Sequence, residues 1–277
     1  MMIKKIAIQG LKGSFHHEAA NHYFGEAIVL EECETFSGLV ELITSGGVDY
    51  GVMAIENSLA GSILQNYTLL RKKEVEITGE VGLRVRMNLM VIRGVNESQI
   101  EEIHSHQMAI RQCGNYFDQF PEVKVVEAFD TAGSAKMIAD QQLSNAAAIA
   151  SEWAAKEYNL EIVRRGIEDH NLNYTRFLVI QRSGGPKIET PNKVSVYFQT
   201  KHDPGSLAHA LTIISGLGIN LGKLQSHPVP SKNSLYGFYA DLKIDELGQL
   251  KDLEHIMNRM ALTFEILGIY KKGETYG

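Results

Sequence analysis

The sequence predicts an α/β protein in two parts, with an α/β part up to residue 182 and a smaller α+β part from residue 193. Before residue 182, short apolar runs alternate with helical patterns, which favours mainly parallel strands covered by helices on both faces. After residue 193, the order strand-helix-strand-strand-helix-strand fits into about 80 residues, which is the ferredoxin-like arrangement.

A linker separates the two parts at residues 183–192. The stretch from Arg182 to Asn192 contains two glycines and two prolines and sustains neither a helical nor a strand pattern. Before it, strands are predicted at 3–9, 48–55, 89–92, 123–128, 146–150 and 177–181, and helices at 14–24, 37–45, 108–120 and 134–142. After it, strands are predicted at 193–200, 219–229, 236–244 and 263–270, and helices at 204–217 and 247–260.

The composition excludes several classes of protein. Of 277 residues, 44% are hydrophobic and 22% are charged, which is an ordinary globular balance. The net charge of -6 disfavours nucleic-acid binding, which needs a basic face. Cys33 and Cys113 form no Cys-x-x-Cys pair, so a reducing compartment fits best. The N-terminal apolar run is too short for a signal peptide, and no window approaches the ~18 apolar residues of a membrane span. We therefore expect a cytoplasmic protein.

A glycine-containing turn, Gly10 to Glu18, joins the first strand to the first helix. The glycines permit a tight turn, Ser14 can cap the helix, and free N–H groups at that position favour an anion. The turn is neither a P-loop nor a dinucleotide fingerprint. A plain capped β–α turn explains the same residues, so both interpretations stay open.

Polar residues also follow another predicted strand, at Ile55-Glu56-Asn57-Ser58. Because ligands of open α/β sheets gather at the carboxyl ends of strands, Asn57 and Ser58 are well placed to bind a substrate. An Asx or Ser turn is the alternative.

The segment from Asn171 to Ile180 places a hydroxyl and a guanidinium, Thr175 and Arg176, directly before an apolar strand. Arginine is the natural partner of a carboxylate because its fork donates twice. An exposed arginine at the start of a strand is the alternative. The residues by themselves therefore indicate a donor-rich cleft for a small organic anion.

The histidines do not predict a metal site. His104 and His106, like His16, His17 and His22, lack the cysteine or spaced acidic partners that would complete a ligand set. We expect them to cap helices or to pack in the core.

Taken together, the segments resemble the prephenate dehydratase family. The resemblance rests on Gly-x-x-Gly-Ser-Phe-x-His at 10–17, on Ile55-Glu56-Asn57-Ser58, on the Ser105-His106 turn and on Asn173-Tyr174-Thr175-Arg176-Phe177. The segment 193–270 resembles an ACT domain, the amino-acid-binding module that usually accompanies this enzyme.

The resemblance implies a catalytic domain at 1–182 with two lobes, like a type II periplasmic binding protein, a linker at 183–192 and an ACT regulatory domain at 193–277. It implies a hydro-lyase that converts prephenate to phenylpyruvate in phenylalanine biosynthesis, with no cofactor and no metal. It also implies feedback control by L-phenylalanine in a homodimer or homotetramer.

The family pattern assigns the site residues. Thr175 would donate to the leaving hydroxyl, and Arg176 would hold a carboxylate in the gap that both residues face. Further substrate contacts are expected from Asn57, Ser58, Lys12, Gly13, Ser14 and Phe177. The effector residues are expected to be Gly205, Ser206, Leu207, Gln225 and Ser226.

Four positions depart from the family pattern: Leu11 stands where proline is common, Ser206 where alanine is common, Gln225 where glutamate is usual and His227 where arginine is usual. Loss of the glutamate and arginine removes a charged contact network, so we expect feedback of altered strength.

Two other classes of protein compete with the enzyme. A solute-binding protein also uses a two-lobed cleft, but its exported forms carry a signal peptide. A purely regulatory ACT protein with a decayed catalytic part is disfavoured by the intact Thr175-Arg176-Phe177 and Asn57-Ser58.

Overall fold

The computed structural model describes residues 3–71, 74–229 and 235–277. In chain order the elements are β1 Lys4–Gln9, α1 Phe15–Phe24, β2 Ile28–Cys33, α2 Phe36–Thr44, β3 Tyr50–Asn57, β4 Gly61–Ser62, α3 Leu64–Leu70, β5 Val75–Arg84, β6 Asn88–Val91, β7 Glu102–His106, α4 Gln107–Arg111, α5 Gly114–Phe117, β8 Lys124–Ala128, α6 Thr131–Gln141, β9 Ala146–Ala150, α7 Glu152–Glu157, β10 Glu161–Arg164, β11 Tyr174–Arg182, β12 Lys193–Gln199, α8 Ser206–Gly216, β13 Asn220–Pro228, β14 Tyr236–Lys243, α9 Leu247–Met260, β15 Thr263–Tyr270 and β16 Thr275–Tyr276.

The chain divides into two units. Unit 1 comprises residues 1–61, 81–177 and 275–277, and unit 2 comprises residues 62–80 and 178–274. Unit 2 thus contains a segment, 62–80, that lies far from the predicted 193–277 domain in sequence. The functional division into 1–182, 183–192 and 193–277 stays a prediction.

Unit 1 contains two sheets. In the first, β1 pairs in parallel with β2 and β3, and β11 lies next to β3. The second has the order β10-β6-β9-β7-β8, in which β7 is parallel to β8 and β9 while β6 is antiparallel to β9. β9 consists of four alanines and one isoleucine that are all buried, as expected for a central strand with both faces covered. Unit 1 therefore has the two-lobed α/β architecture that the resemblance implies.

Unit 2 contains an antiparallel sheet of order β13-β14-β12-β15, followed by β5, which pairs in parallel with β15. Alternate residues of β12 (Val194, Val196 and Phe198) pack with α8 and α9 into one core. Ser195 and Tyr197 point to the opposite face, as the two-residue period of a strand requires. The predicted βαββαβ order is confirmed.

One predicted helix is wrong. The sequence predicted a single helix over 108–120, but two short helices, α4 and α5, replace it. The Asp169 carboxylate accepts hydrogen bonds from the N–H groups of Gly114 (3.0 Å) and Asn115 (3.0 Å) and so starts a new helix at that point. Within the described ranges, no helix is long and apolar enough to cross a membrane.

Candidate active site and effector site

Asn57 lies at the centre of a hydrogen-bond network at the end of β3. Its side-chain nitrogen lies 2.7 Å from Asn173 Oδ1, 3.0 Å from Thr175 Oγ1 and 3.2 Å from the Tyr174 carbonyl oxygen. Two N–H bonds are shared among these three acceptors. The network joins two of the segments that the sequence singled out, although they are more than 110 residues apart.

The orientation of the Asn57 amide is fixed by its other atom. Asn57 Oδ1 accepts from the N–H groups of Leu59 (3.0 Å) and Ala60 (2.9 Å). If the amide were turned the other way, its NH₂ group would face the two backbone N–H groups, and its oxygen would face the three acceptor oxygens. The Thr175 oxygen therefore accepts from Asn57, and the hydroxyl proton of Thr175 is available to another acceptor.

Ser58 holds the same segment in place. Its hydroxyl donates to the Leu172 carbonyl (2.7 Å) and accepts from the Tyr174 N–H (2.9 Å), while its own N–H donates to the Tyr174 carbonyl (2.8 Å). The predicted Asx or Ser turn is present, since Asn57 closes the turn through Ala60. In this structure both residues thus hold the strand that carries Thr175, and the substrate contacts predicted for them stay proposals.

Asn173 connects the network to the second lobe. It is fully buried, and its side chain accepts from Asn57 and donates to Gln112 Oε1 at 2.9 Å. Asn173 belongs to one of the sequence motifs but was not predicted as a site residue, and Gln112 was not predicted at all. Gln112 lies between two short helices and carries no local signal, because its partner is 61 residues away.

Arg176 forms an ion pair with Glu56, with 3.0 Å between Nη1 and Oε1. Both side chains are largely buried, at 15% and 29% exposed. Because adjacent residues of a strand point to opposite faces, Thr175 meets Asn57 on one face and Arg176 meets Glu56 on the other. The expectation that Thr175 and Arg176 face one gap is therefore not supported by these contacts. Sequence reasoning also missed Glu56 as the partner of Arg176.

The turn at 10–14 does not offer the free N–H groups that the sequence predicted. Each of the three donates within unit 1: Lys12 to Glu32 (2.6 Å), Gly13 to His17 Nδ1 (2.9 Å) and Ser14 to the Leu11 carbonyl (3.1 Å). Ser14 caps α1 as predicted, accepting from the His17 N–H. The anion interpretation of the backbone is thus corrected in favour of the capped turn. The exposed Lys12 ammonium remains a candidate contact.

Gly13 lies close to the backbone of the second lobe. It has a φ of +82°, and a Cβ at this position would lie 2.8 Å from the Cα of Ala154 in α7. Ser151 donates to the Gly13 carbonyl at 2.6 Å. The glycine is therefore required by the close approach of the two backbones, and the substrate contact predicted for it stays a prediction.

His16 and Phe177 pack together in unit 1. Phe177 is 1% exposed, and its ring lies edge-on to that of His16 with 5.0 Å between centroids. The side chain of Phe177 thus packs inside unit 1 in this structure, and the substrate contact predicted for it stays a prediction. Burial lowers the pKa of His16 to about 4, and its Nε2 accepts from the Ala54 N–H at 3.2 Å. The imidazole is therefore neutral and links α1 to β3.

His106 caps a helix, one of the two roles expected for the histidines. His106 accepts from the Met108 N–H at 3.2 Å and begins α4, while the buried Ser105 hydroxyl donates to the Ile149 carbonyl at 2.7 Å. In the part of the chain that the structure describes, no three His, Cys, Asp or Glu side chains are placed to hold a metal ion.

A cavity of about 350 Å³ lies in unit 1 near the predicted segments. Its charged lining is balanced between three arginines and three glutamates, which are Arg84, Arg86, Arg165, Glu18, Glu152 and Glu168. Phe15 and Asn171, which belong to the predicted segments, line the cavity. Asn57 and Thr175 are not part of its lining. The hydrogen-bond network, and not this cavity, identifies the candidate active site.

The predicted effector residues fall into two groups in unit 2. Ser206 and Leu207 line a cavity of about 330 Å³ at the start of α8, together with Tyr236 and Phe238 of β14. Gly205 precedes them with a φ of +83°, which a glycine adopts without strain. Gln225 and Ser226 lie on β13 and are not part of this lining.

Comparison with known proteins agrees with these observations. The family model for prephenate dehydratase matches residues 6–184. The chain is 32% identical to the prephenate dehydratase of Methanocaldococcus jannaschii, over 94% of this chain and 95% of that one. It is 38% identical to arogenate dehydratase/prephenate dehydratase 2 of Arabidopsis thaliana, over 96% of this chain and 72% of that one.

Two solved structures are similar over nearly the whole chain. One is GqqA, described as a novel type of quorum quenching acylase, with a TM-score of 0.86 at 28% identity over 97% of this chain and 98% of that one. The other is prephenate dehydratase of Arthrobacter aurescens in complex with L-Phe, with a TM-score of 0.85 at 24% identity over 96% and 90%. The family model covers more than half of the chain and the relatives align over almost all of it; the chain belongs to the prephenate dehydratase family.

Proposed function

We propose that this protein converts prephenate to phenylpyruvate, with Thr175 as the donor to the leaving hydroxyl. Membership of the family supports the reaction, and the Asn57–Thr175 hydrogen bond of 3.0 Å supports the role of Thr175. In the reaction, the electrons of the ring carbon–carboxylate bond become part of the aromatic ring as carbon dioxide leaves. The ring carbon–oxygen bond breaks, and the oxygen departs as water after it gains a proton.

The arrangement around Thr175 suits a donor to an oxygen on which charge develops. An unperturbed alcohol is a weak acid, but here the amide of Asn57 donates to the Thr175 oxygen and polarises the hydroxyl. It also turns the hydroxyl proton away from Asn57. A donor fixed in this way stabilises the transition state more than the ground state, because the negative charge on the leaving oxygen exists only as the bond breaks.

The carboxylates of the substrate require cationic or neutral donors. Arg176 stays our candidate for one carboxylate, as the family pattern indicates, and binding there would require its guanidinium to exchange Glu56 for the substrate. The exposed Lys12 is the second candidate. Asn57, Ser58, Gly13 and Ser14 are proposed to shape the site rather than to bind the substrate through their backbone.

Feedback by L-phenylalanine is proposed to act through unit 2. The Arthrobacter aurescens relative is described in complex with L-Phe, and the cavity beside Ser206 and Leu207 is lined by both apolar and polar residues. We propose that a homodimer or homotetramer in the cytoplasm carries this site.

A coupled assay tests the proposal. Purified protein is incubated with prephenate, and phenylpyruvate is followed by absorbance with and without added L-phenylalanine. We expect turnover that falls as phenylalanine is added. Tight prephenate binding without product would instead identify a capture protein, and a flat curve across added phenylalanine would contradict the proposed effector.

The similarity to GqqA favours one second candidate, an acylase. The same preparation is therefore tested with an N-acylated substrate and with arogenate in parallel reactions. We expect product from prephenate, and dependence of that product on Thr175. Release of a free acid from the N-acyl substrate that is unaffected in Thr175→Val would place an acylase activity at another site.

A further inference from the structure

Strand β13 carries the predicted effector residue Ser226 on one face, and Gln225 lies with a second set of contacts on the other. Its partners across the β13–β14 ladder are Asp241 for Lys223, Tyr239 for Gln225 and Phe238 for Ser226. Ser226 therefore shares a face with Phe238, which lines the cavity beside Ser206 and Leu207. Lys223, Gln225 and His227 share the opposite face, because side chains alternate along a strand. One face of β13 therefore adjoins the wall of the candidate effector cavity, and its other face makes a separate set of contacts.

Residues 62–71 cover that other face of the sheet within unit 2. Arg71 makes two hydrogen bonds to Glu265 of β15, at 3.0 and 2.9 Å, and its guanidinium carbon lies 3.7 Å from the ring centre of Tyr197. Tyr67 of α3 packs against Tyr239 with 4.6 Å between ring centroids. These contacts fix the segment to the middle of the sheet.

Lys223 links β13 itself to this segment. Its ammonium group donates to Ser62 Oγ at 2.9 Å and lies 5.1 Å from the ring centre of Tyr67. Burial lowers the pKa of Lys223 to about 8, against the opposing effect of the Asp241 carboxylate. The amine therefore remains mainly protonated at pH 7 and keeps its role as a donor. His227, on the same face, stacks on Tyr239.

Ser62 is four residues from Ser58 and five from Asn57 along the chain. The backbone between these residues includes the N–H groups of Leu59 and Ala60, which hold the Asn57 amide. That amide in turn orients Thr175.

We propose that the Lys223–Ser62 hydrogen bond is the link through which effector binding in the cavity beside Ser206 and Phe238 controls the Asn57–Thr175 pair. The inference rests on the proposed function, since it names the route by which that activity is regulated. Effector binding that shifts β13 alters the hold on Ser62, and the loop from Asn57 to Ser62 then changes the orientation of the Thr175 donor. Coupling of this kind requires that the effector favour one of two arrangements of the link.

The test uses Lys223→Met and Ser62→Ala in the full chain, with Lys243→Met as the matched control. Lys243 is an exposed lysine on the neighbouring strand β14, so its loss changes the charge equally. Phenylalanine binding is measured by calorimetry and inhibition by the prephenate assay. The fluorescence emission of Trp153 gives a measurement that does not depend on turnover. Trp153 is the only tryptophan of the chain, and it reports on unit 1, where its ring contacts His17.

In the unaltered chain and in the control, we expect phenylalanine to inhibit turnover and to change Trp153 emission. In Lys223→Met and Ser62→Ala, phenylalanine should still bind, but its inhibitory effect should fall about 5-fold or more, which is within the usual range of coupling between sites. The double variant should lose no more coupling than either single variant, since the two residues share one contact. Ser62→Ala removes a single hydroxyl and keeps the test valid if Lys223→Met fails to fold.

Two results for the variants together would overturn the inference: full inhibition by phenylalanine and a full Trp153 response in both of them. In the unaltered chain, either the absence of phenylalanine binding or the absence of a Trp153 response would also overturn it. A chain that does not turn over prephenate, but whose Trp153 response to phenylalanine is lost in both variants, would refute the proposed activity and leave the link standing.

Discussion

The side-chain amide of Asn57 donates to the hydroxyl oxygen of Thr175 across 3.0 Å. These two residues come from the ends of neighbouring strands, β3 and β11, and the amide is held from its other side by two backbone N–H groups. The contact directs the hydroxyl proton of Thr175 away from Asn57. The predictions below follow from this contact and from those around it.

Asn57→Asp should lower kcat by about 10²-fold or more with little change in KM. The carboxylate still accepts from Leu59 and Ala60, but it no longer donates to Thr175 and Asn173, and loss of a fixed donor network acts mainly in the transition state. Steady-state kinetics with prephenate check this. Asn258→Asp, on the exposed side of α9, is the control for the added charge. A raised KM at unchanged kcat would mean that Asn57 binds the substrate directly.

Glu56→Gln should distinguish two roles of Arg176. If Arg176 holds a substrate carboxylate, loss of the competing charge 3.0 Å away strengthens that contact and lowers KM several-fold. If the pair is purely structural, KM stays unchanged and the free energy of unfolding falls by about 1 kcal/mol or more, as for a partly buried pair that loses one partner. Kinetics and urea denaturation of the same variant separate the outcomes. We expect the lower KM, and an unchanged KM would remove Arg176 from the substrate site.

Gly13→Ala should lower the free energy of unfolding by about 3 kcal/mol. Alanine is strained at the positive φ of this position, and its Cβ would overlap with the backbone of α7. Gly46→Ala is the matched control, because Gly46 has a φ of +77° with no atom within 4 Å of an added Cβ. The control should lose only about 1 kcal/mol from backbone strain. Urea midpoints measure both. Equal losses would show that the two lobes adjust at Gly13 without cost.

His16 should make the protein less stable in acid. Burial lowers its folded pKa to about 4, whereas the unfolded value is about 6.5. Between these values the unfolded chain binds more protons, so stability is complete above pH 6.5 and is lost as the pH falls towards 4. The loss should amount to about 3 kcal/mol. His16→Gln keeps an acceptor for the Ala54 N–H and should flatten this part of the stability curve. His255→Gln, which removes an exposed histidine, should not, and an unchanged slope in His16→Gln would contradict the assignment.

Much of the fold follows from patterns that are local in the sequence. The order of strands and helices after residue 193 predicted the ferredoxin-like unit, and the apolar run of β9 predicted a strand. β2 and β5 were missed, because β2 contains two consecutive glutamates at its centre and β5 contains Gly79 and Gly82, both of which weaken a strand pattern. Their pairing partners, and not their own residues, make them strands.

The candidate site was predictable in part. The sequence placed Asn57 and Thr175 at strand ends, and the structure brings them together. It could not show that the N–H groups of Lys12, Gly13 and Ser14 are already used, because two of their acceptors, Glu32 and His17, are side chains whose positions depend on the folded chain. Gln112 and Glu56 were missed for the same reason, since a hydrogen bond between distant segments leaves no mark on local composition.

The most direct test of the account is the turnover of Thr175→Val compared with Thr175→Ser. Valine keeps the shape of threonine without its hydroxyl, and serine keeps the hydroxyl without the methyl group. We predict that Thr175→Val folds normally and loses about 10²–10³-fold in kcat, while Thr175→Ser retains turnover within about 10-fold. Turnover of Thr175→Val close to that of the unaltered chain would contradict the central claim.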